Sequence, residues 1–299
     1  MNRPGIVSLL RRRADAFGII RRFFVDRGFL EVDTPIRIPV PIPEANIVSE
    51  PAGDWYLQTS PEQLMKRLLA AGGGDLFQIC HCFRRGERGR LHLPEFTMLE
   101  WYQSESGYQE VMATCSAMLR SLCRELGLGD SIVYQGQRID LAGDWQRLSL
   151  SEAFRLWAGT TVEDALAADI FEEVLVTRVE PHLGMDRPTF LLDYPAALGS
   201  LARLRPDDPR YAERFELYVA GIELANGFSE LADAAEQRRR FAAEAARMGP
   251  ETRLPEKFLA DLPAMGSAGG IALGLDRLLM ILSDGQCIDD AIPFTPESL

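Results

Sequence analysis

Residues 76–103 constrain the fold more tightly than any other stretch. Two apolar runs, LFQICHCF and EFTMLEWYQ, flank an arginine- and glycine-rich loop, RRGERGRLHLP. Aromatic-rich runs of this length around a glycine-containing loop predict an antiparallel β-hairpin. With a period of two, Phe96, Met98, Glu100 and Tyr102 share one face of the second strand, and Glu95, Thr97, Leu99 and Trp101 share the other. The first face sets a carboxylate and a phenol among apolar side chains. A carboxylate buried without partners is costly, so this strand demands compensating charge from elsewhere in the chain.

A second segment, ELYVAGIELANGFSEL, supplies Glu216, Glu223, Asn226 and Glu230. It reads as strand-like, ending in an Asn226–Gly227 turn. Glu216 and Glu223 are seven residues apart, which places them on opposite faces unless a bulge falls near Gly221. If both segments face one cleft, their carboxylates repel unless a cation is present. Mg²⁺ held by oxygen ligands beside phosphates satisfies that demand, as does an ammonium-bearing substrate. Anion-binding groups complement them. Arg84 ends the first hairpin strand. Arg277 lies in the first turn of the last predicted helix, where free N–H groups and the helix dipole favour phosphate.

The remaining pattern predicts an α+β architecture. Ile6, Leu9, Leu10, Ala14, Phe17, Ile20 and Phe24 form a helical stripe over 6–27, which Gly28 closes. FLEVDTPIRIP is extended and WYLQT is a short strand. A helix follows with Ser60 as N-cap, Pro61 as first helical residue and Gln63 as capping-box partner, ending at Gly72-Gly73-Gly74. Helices near 108–126 and over EQRRRFAAEAARM, a strand at PTFLLDYP, and the pair GGIALG–LDRLLMIL complete the reading. The arginines at positions 3, 11, 12, 13, 21, 22 and 27 read as a solvated helix face. The net charge of −12 argues against a broad nucleic-acid surface. Cys80-His81-Cys82 is not read as a metal site, because alternation turns His81 away from both cysteines. Five cysteines without a disulfide framework, no apolar run of membrane-spanning length and no signal-peptide pattern predict a cytoplasmic protein.

FRRGERGRLHLPEFTMLEWY resembles motif 2 of the class II aminoacyl-tRNA synthetases in its lysyl form. GIALGLDRLLM is similar to motif 3, FLEVDTP to the dimer-forming motif 1, and GIELANGFSEL to the lysine-pocket segment. The resemblance spans nearly the whole chain. It implies a homodimer, a six-stranded antiparallel sheet flanked by helices, one catalytic domain over 1–299, and a helical or irregular insertion over 104–190. It also implies roles. Arg84 would hold the α-phosphate of ATP and Arg277 the γ-phosphate, with Phe96 under adenine and the backbone near Leu93 at its edge. Arg85, Gly86, His92, Leu224 and Gly274 would complete the nucleotide site, and Glu216 and Glu223 would carry Mg²⁺. Ser60, Pro61, Glu62 and Glu100 would face the amino-acid backbone end. Tyr102 and Glu230 would bind the side-chain ammonium, with Asn226, Phe228 and Ala272 shaping the pocket. Two positions depart from the motif: Gly86 stands where glutamate is common, and Leu93 where asparagine is usual.

Lysyl-tRNA synthetases carry an N-terminal OB-fold, for which the segment before FLEVDTP leaves no room. The resemblance is therefore to stand-alone paralogues that activate lysine or (R)-β-lysine and pass it to a lysine of elongation factor P, with tRNA not expected as a partner. Ser60 stands where lysyl-tRNA synthetases typically have alanine, and Ala272 where they have glycine. Both border the region in which α- and β-lysine differ. A truncated lysyl-tRNA synthetase and a catalytically inactive regulatory paralogue remain as alternatives.

Overall fold

The computed structural model describes residues 5–299. Helix α1 (Ile6–Val25) buries Ala16, Ile19, Ile20, Phe23 and Phe24 along one side, and Gly28 turns the chain in the left-handed region (φ 83°) into β1 (Leu30–Glu31). Strands β2 (Arg37–Ile38), β3 (Pro51–Ala52) and β4 (Trp55–Leu57) make a small sheet. Helix α2 (Glu62–Ala70) leads to the hairpin β5 (Leu76–Phe83) and β6 (Glu95–Ser104), then α3 (Tyr108–Glu125). The next stretch holds the two-stranded sheet β7 (Ser131–Tyr134) and β8 (Gln137–Asp140), strand β9 (Gln146–Ser149), and short helices α4 (Leu150–Ala153), α5 (Val162–Ala167) and α6 (Phe171–Val174). Strands β10 (Thr189–Pro195), β11 (Tyr211–Val219) and β12 (Ile222–Ser229), helices α7 (Ala234–Met248) and α8 (Glu256–Asp261), β13 (Ala268–Gly274) and α9 (Leu275–Leu282) follow.

The main sheet has eight strands rather than six, in the order β1-β5-β6-β13-β12-β11-β10-β9. Its six inner strands pair antiparallel throughout. The two extra strands lie at the edges and pair parallel, β1 with β5 and β9 with β10. They escape sequence pattern because they are only two and four residues long. Period two then divides the β6 side chains as the sequence predicts. Leu99 and Trp101 join the core under α1, α3 and α9, where Phe24 stacks on Phe77 at 4.9 Å between ring centroids. Phe96, Met98, Glu100 and Tyr102 face the opposite side, into a cleft.

Three local readings are corrected. Residues 211–229 form a hairpin, not one strand, because the chain reverses at Ala220 and Gly221, both with positive φ. Asn226–Gly227 is no turn but the middle of β12, where a Cβ on Gly227 would come within 2.6 Å of the Phe215 ring. Helix α2 has Pro61 at its N-cap; Ser60 Oγ accepts from Glu62 N–H at 3.0 Å, while the side-chain Oε1 of Gln63 is buried without a partner, so no capping box forms.

The arginines of α1 are also not simply solvated. Arg12 donates to the Leu282 carbonyl (2.9 Å), and Arg13 donates to Asp276 (2.5 Å) and to Thr97 Oγ1 (2.6 Å), tying α1 to α9 and β6. Arg3 lies outside the described residues. His81 points away from Cys80 and Cys82 and meets Glu95 at 3.1 Å, as alternation requires, and all five cysteines are free. No helix among the described residues is long and apolar enough to cross a membrane. Because the β12 backbone passes so close to Phe215, Gly227→Ala is expected to lower the unfolding free energy by about 1–3 kcal/mol, measurable by denaturant titration.

Candidate active site

The antiparallel ladder brings distant residues into two transverse rows. Glu100 of β6 pairs with Ala272 of β13, which pairs with Asn226 of β12, which pairs with Glu216 of β11. The neighbouring row runs Tyr102, Gly270, Phe228, Arg214. Residues opposite one another on adjacent strands share a face, so both rows look to the same side. A register shift between Leu217 and Tyr218 sets Glu223 opposite Tyr218, and hence on the face that carries Glu216. This shift, on one arm of a hairpin, overcomes the separation that seven residues of one strand would impose.

Over these rows lies a cleft of about 320 Å³. Its wall contains Ser60, Glu62, Arg84, His92, Leu93, Phe96, Glu100, Tyr102, Glu223, Leu224, Asn226, Phe228, Glu230, Ala272, Gly274 and Arg277. Four expected site residues are not on that wall. Pro61 is buried at the start of α2, and Arg85 and Gly86 are exposed on the β5–β6 loop. Glu216 is spoken for: it accepts from Arg214 (2.7 Å), Tyr194 (2.5 Å) and Tyr218 (2.7 Å).

One end of the cleft is built for cations. Tyr102 Oη donates to Glu100 Oε1 at 2.5 Å and Ser60 Oγ donates to Glu100 Oε2 at 3.0 Å. The Ser60 hydroxyl is therefore directed at Glu100, with Glu62 N–H as its own donor. Burial, reinforced by Glu62, pushes Glu100 up to about 8. Burial likewise pushes Glu230 up to about 8, although Lys66 works against it. Lys66, which the sequence reading missed, is fully buried on α2. Its ammonium bridges Glu62 and Glu230, 2.5 Å from Glu230 Oε2. Burial opposes its charge, but Glu230 and Glu62 outweigh burial and raise its pKa. Lys66 also lies 5.0 Å from the centroid of Phe228. Gly270 is a second missed residue: a Cβ there would strike Glu230 Oε1 and the Tyr102 ring, so glycine lets both reach the cleft.

The other end is built for anions. Arg84 Nε is buried without an acceptor, and its guanidinium sits 5.2 Å from the Phe96 centroid. Arg277 donates to the Leu91 carbonyl (3.0 Å) and the Glu223 carbonyl (2.9 Å) and lies 2.8 Å from His92 Nε2. Burial, then Arg277, lowers the His92 pKa, so the neutral ring accepts from the guanidinium. Glu223, whose side chain is 37% exposed, has its pKa raised by partial desolvation and by Glu216. Among the described residues no cluster of His, Cys, Asp or Glu makes a metal cage. Of the two carboxylates expected to carry Mg²⁺, Glu223 lines the cleft and Glu216 does not.

An antiparallel sheet with parallel edges thus presents an arginine-lined end and a carboxylate-lined end in one cleft, an arrangement suited to an enzyme that takes a cationic and a phosphorylated substrate. The chain belongs to the class II tRNA synthetases of the D, K and N group, whose family profile matches residues 1–298. It is 39% identical over 311 residues to the elongation factor P--(R)-beta-lysine ligase of Edwardsiella ictaluri, covering 97% of this chain and 95% of that protein. It is 40% identical to the ligase of the same name from Pectobacterium carotovorum, covering 97% and 96%, and 41% identical to that of Klebsiella pneumoniae, covering 96% and 94%.

Two expectations follow from the cleft. A carboxylate whose folded-state pKa exceeds its unfolded value binds a proton that the unfolded chain has already lost, so it costs stability as pH rises from about 4.5 to 8. A diamine relieves that cost, and the increase in Tm produced by added lysine should therefore be larger at the top of this window than at its bottom. Lys66→Met leaves Glu62 and Glu230 buried without their cation, and should lower the unfolding free energy by about 3–5 kcal/mol in denaturant titrations.

Proposed function

We propose that the protein is an ATP-dependent, AMP-forming ligase that activates (R)-β-lysine or lysine and transfers it to a lysine side chain of elongation factor P. The observation that carries this reading is the joining, in one cleft, of Glu62, Glu100, Tyr102 and Glu230 at one end with Arg84 and Arg277 at the other. The near-full-length similarity to ligases of that name supports the choice of substrate and acceptor. The net charge of −12 supports a protein acceptor over tRNA.

In the first step a carboxylate oxygen of the amino acid attacks the α-phosphorus of ATP, and pyrophosphate leaves. Arg84, with its unpartnered Nε, stabilises the charge that develops there. Arg277 receives the terminal phosphate, its guanidinium held in place by the Leu91 and Glu223 carbonyls and by His92. Phe96 stacks on adenine, with the backbone at Leu93 along its edge and Gly274 and Leu224 beside it. Mg²⁺ on the triphosphate, held by Glu223, would neutralise phosphate charge. Glu230 and Tyr102 bind the distal ammonium, while Glu62 and Glu100 face the other amine and Asn226, Phe228 and Ala272 set the shape between them. The amine of the acceptor then attacks the acyl carbon and AMP leaves. The subunit works as a homodimer through residues 29–35, a reading supported by exposed Val7, Leu10, Val25, Leu30 and Ile36 nearby in the chain.

Incubation with ATP, Mg²⁺, (R)-β-lysine and elongation factor P, followed by mass spectrometry, should show one added β-lysyl group on a lysine of elongation factor P. Charging of tRNA with no mass added to the protein would overturn the assignment. Arg84→Ala should lower β-lysine-dependent ATP–pyrophosphate exchange by about a hundredfold or more, while leaving the Tm close to that of the wild type.

A further inference from the structure

The wall of the cleft holds a carboxylate to which the proposed reaction gives no task. Glu44 lies in the loop between β2 and β3. That loop is fastened at two points, where Ala45 N–H donates to Glu244 Oε2 of α7 (3.0 Å) and Arg85 N–H to the Val48 carbonyl (2.8 Å), and it is turned on itself by Ile47 N–H donating to the Glu44 carbonyl (3.1 Å). The Glu44 side chain is thus held over the cleft, yet among the described residues its carboxylate has no hydrogen-bond or ion-pair partner. Glu87, on the same wall, is likewise without a side-chain partner among the described residues, whereas the carboxylates around the reacting end are engaged. Glu62 and Glu230 share Lys66, Glu100 accepts from Tyr102 and Ser60, and Glu223 lies 3.6 Å from Arg277.

Glu62, Arg84 and Arg214 line the same wall as Glu44, and Glu244 of α7 holds the loop from behind. Burial and then Glu62 push the Glu44 pKa up to about 7, against the opposing charges of Arg84 and Arg214. In the proposed reaction Arg84, on the same wall, receives the reacting carboxylate and α-phosphate, which would bring the nearer amine of the substrate toward the part of the wall that carries Glu44 and Glu62.

We infer that Glu44 is a specificity-determining substrate contact, accepting the ammonium nearest the reacting carboxylate of a diamino acid while Glu230 and Tyr102 keep the distal ammonium. The inference rests on the proposed amino-acid ligase reading. The α- and β-amines of the two lysine isomers differ by one carbon. A carboxylate from a loop and one from α2, on either side of that span, give the position of the amine direct energetic weight.

The test uses Glu44→Gln, which keeps the shape and removes the charge, in ATP–pyrophosphate exchange with (R)-β-lysine and with lysine. Its companion measurement is inhibition of that exchange by 6-aminohexanoate, which has the carboxylate and distal ammonium but no second amine. The expected result is a KM for the preferred diamino acid raised about tenfold or more, with the KM for ATP and the inhibition constant of 6-aminohexanoate changed less than about twofold. Glu44→Asp, which retains the charge but withdraws it by one carbon, should alter the ratio of KM values for the two isomers. An unchanged KM in Glu44→Gln, or an equal loss for 6-aminohexanoate, would overturn the inference while leaving the ligase reading intact. A wild-type enzyme inert toward both isomers would overturn both.

Discussion

The cleft depends on one buried cation. Lys66 stands between Glu62 of its own helix and Glu230 at the end of β12, with its side chain closed off from solvent. Without it, the carboxylate end would bring Glu62, Glu100 and Glu230 together in a low-dielectric interior with no internal counter-charge, a costly arrangement in an empty site. With it, the local excess of negative charge is reduced but not abolished. Lys66 therefore serves two ends. It lets the chain fold before substrate arrives, and it leaves an uncompensated demand that a second and third ammonium can meet.

The sheet turns that demand into a defined geometry. Side chains in one transverse row are separated by the strand spacing, so Glu100, Ala272 and Asn226 lie at successive steps across β6, β13 and β12. Glycine at 270 leaves the next row open at its centre, which permits Glu230 to reach between Tyr102 and Phe228. On the opposite face the same strands bury Leu99, Trp101, Ile271 and Leu273 against the helices. Recognition is thus carried by strands whose reverse face is packed, which limits how far the carboxylates can move to suit a different ligand.

Much of this was legible in the sequence because it follows periodicity. Alternation along β6 assigns Glu100 and Tyr102 to one face and Trp101 to the other without reference to any coordinates. The 214–231 region was misread for a reason just as physical. Its turn is Ala220–Gly221, a weak hairpin signal, whereas the strong signal, Asn226–Gly227, lies in mid-strand where glycine is needed for packing against Phe215. Lys66 was missed because lysine on an amphipathic helix is ordinarily exposed. The available clue was its position four residues after Glu62, beside the buried Met65 and three before the buried Leu69. Glu44 gave no signal at all: a carboxylate in a proline-flanked loop acquires meaning only when tertiary structure folds that loop over the cleft. Sequence spacing likewise cannot reveal that Tyr194, Tyr218 and Arg214 converge on Glu216.

The raised pKa values of Glu44, Glu100 and Glu230, at about 7 to 8, bear on how the cleft distinguishes ligands. Near neutral pH these groups are partly protonated in the empty site, so protons occupy part of the role that ammonium groups take on binding. A ligand must then contribute enough positive charge to displace them. A diamino acid offers two ammonium groups, one for each end of the carboxylate array, and can release protons at both. A monoamine of equal length offers one and leaves the remaining carboxylates repelling each other or still protonated. On the proposed reading, selectivity for a doubly cationic amino acid would follow from the same burial that makes the empty site costly, because the energy recovered on binding is the repulsion that folding left unresolved.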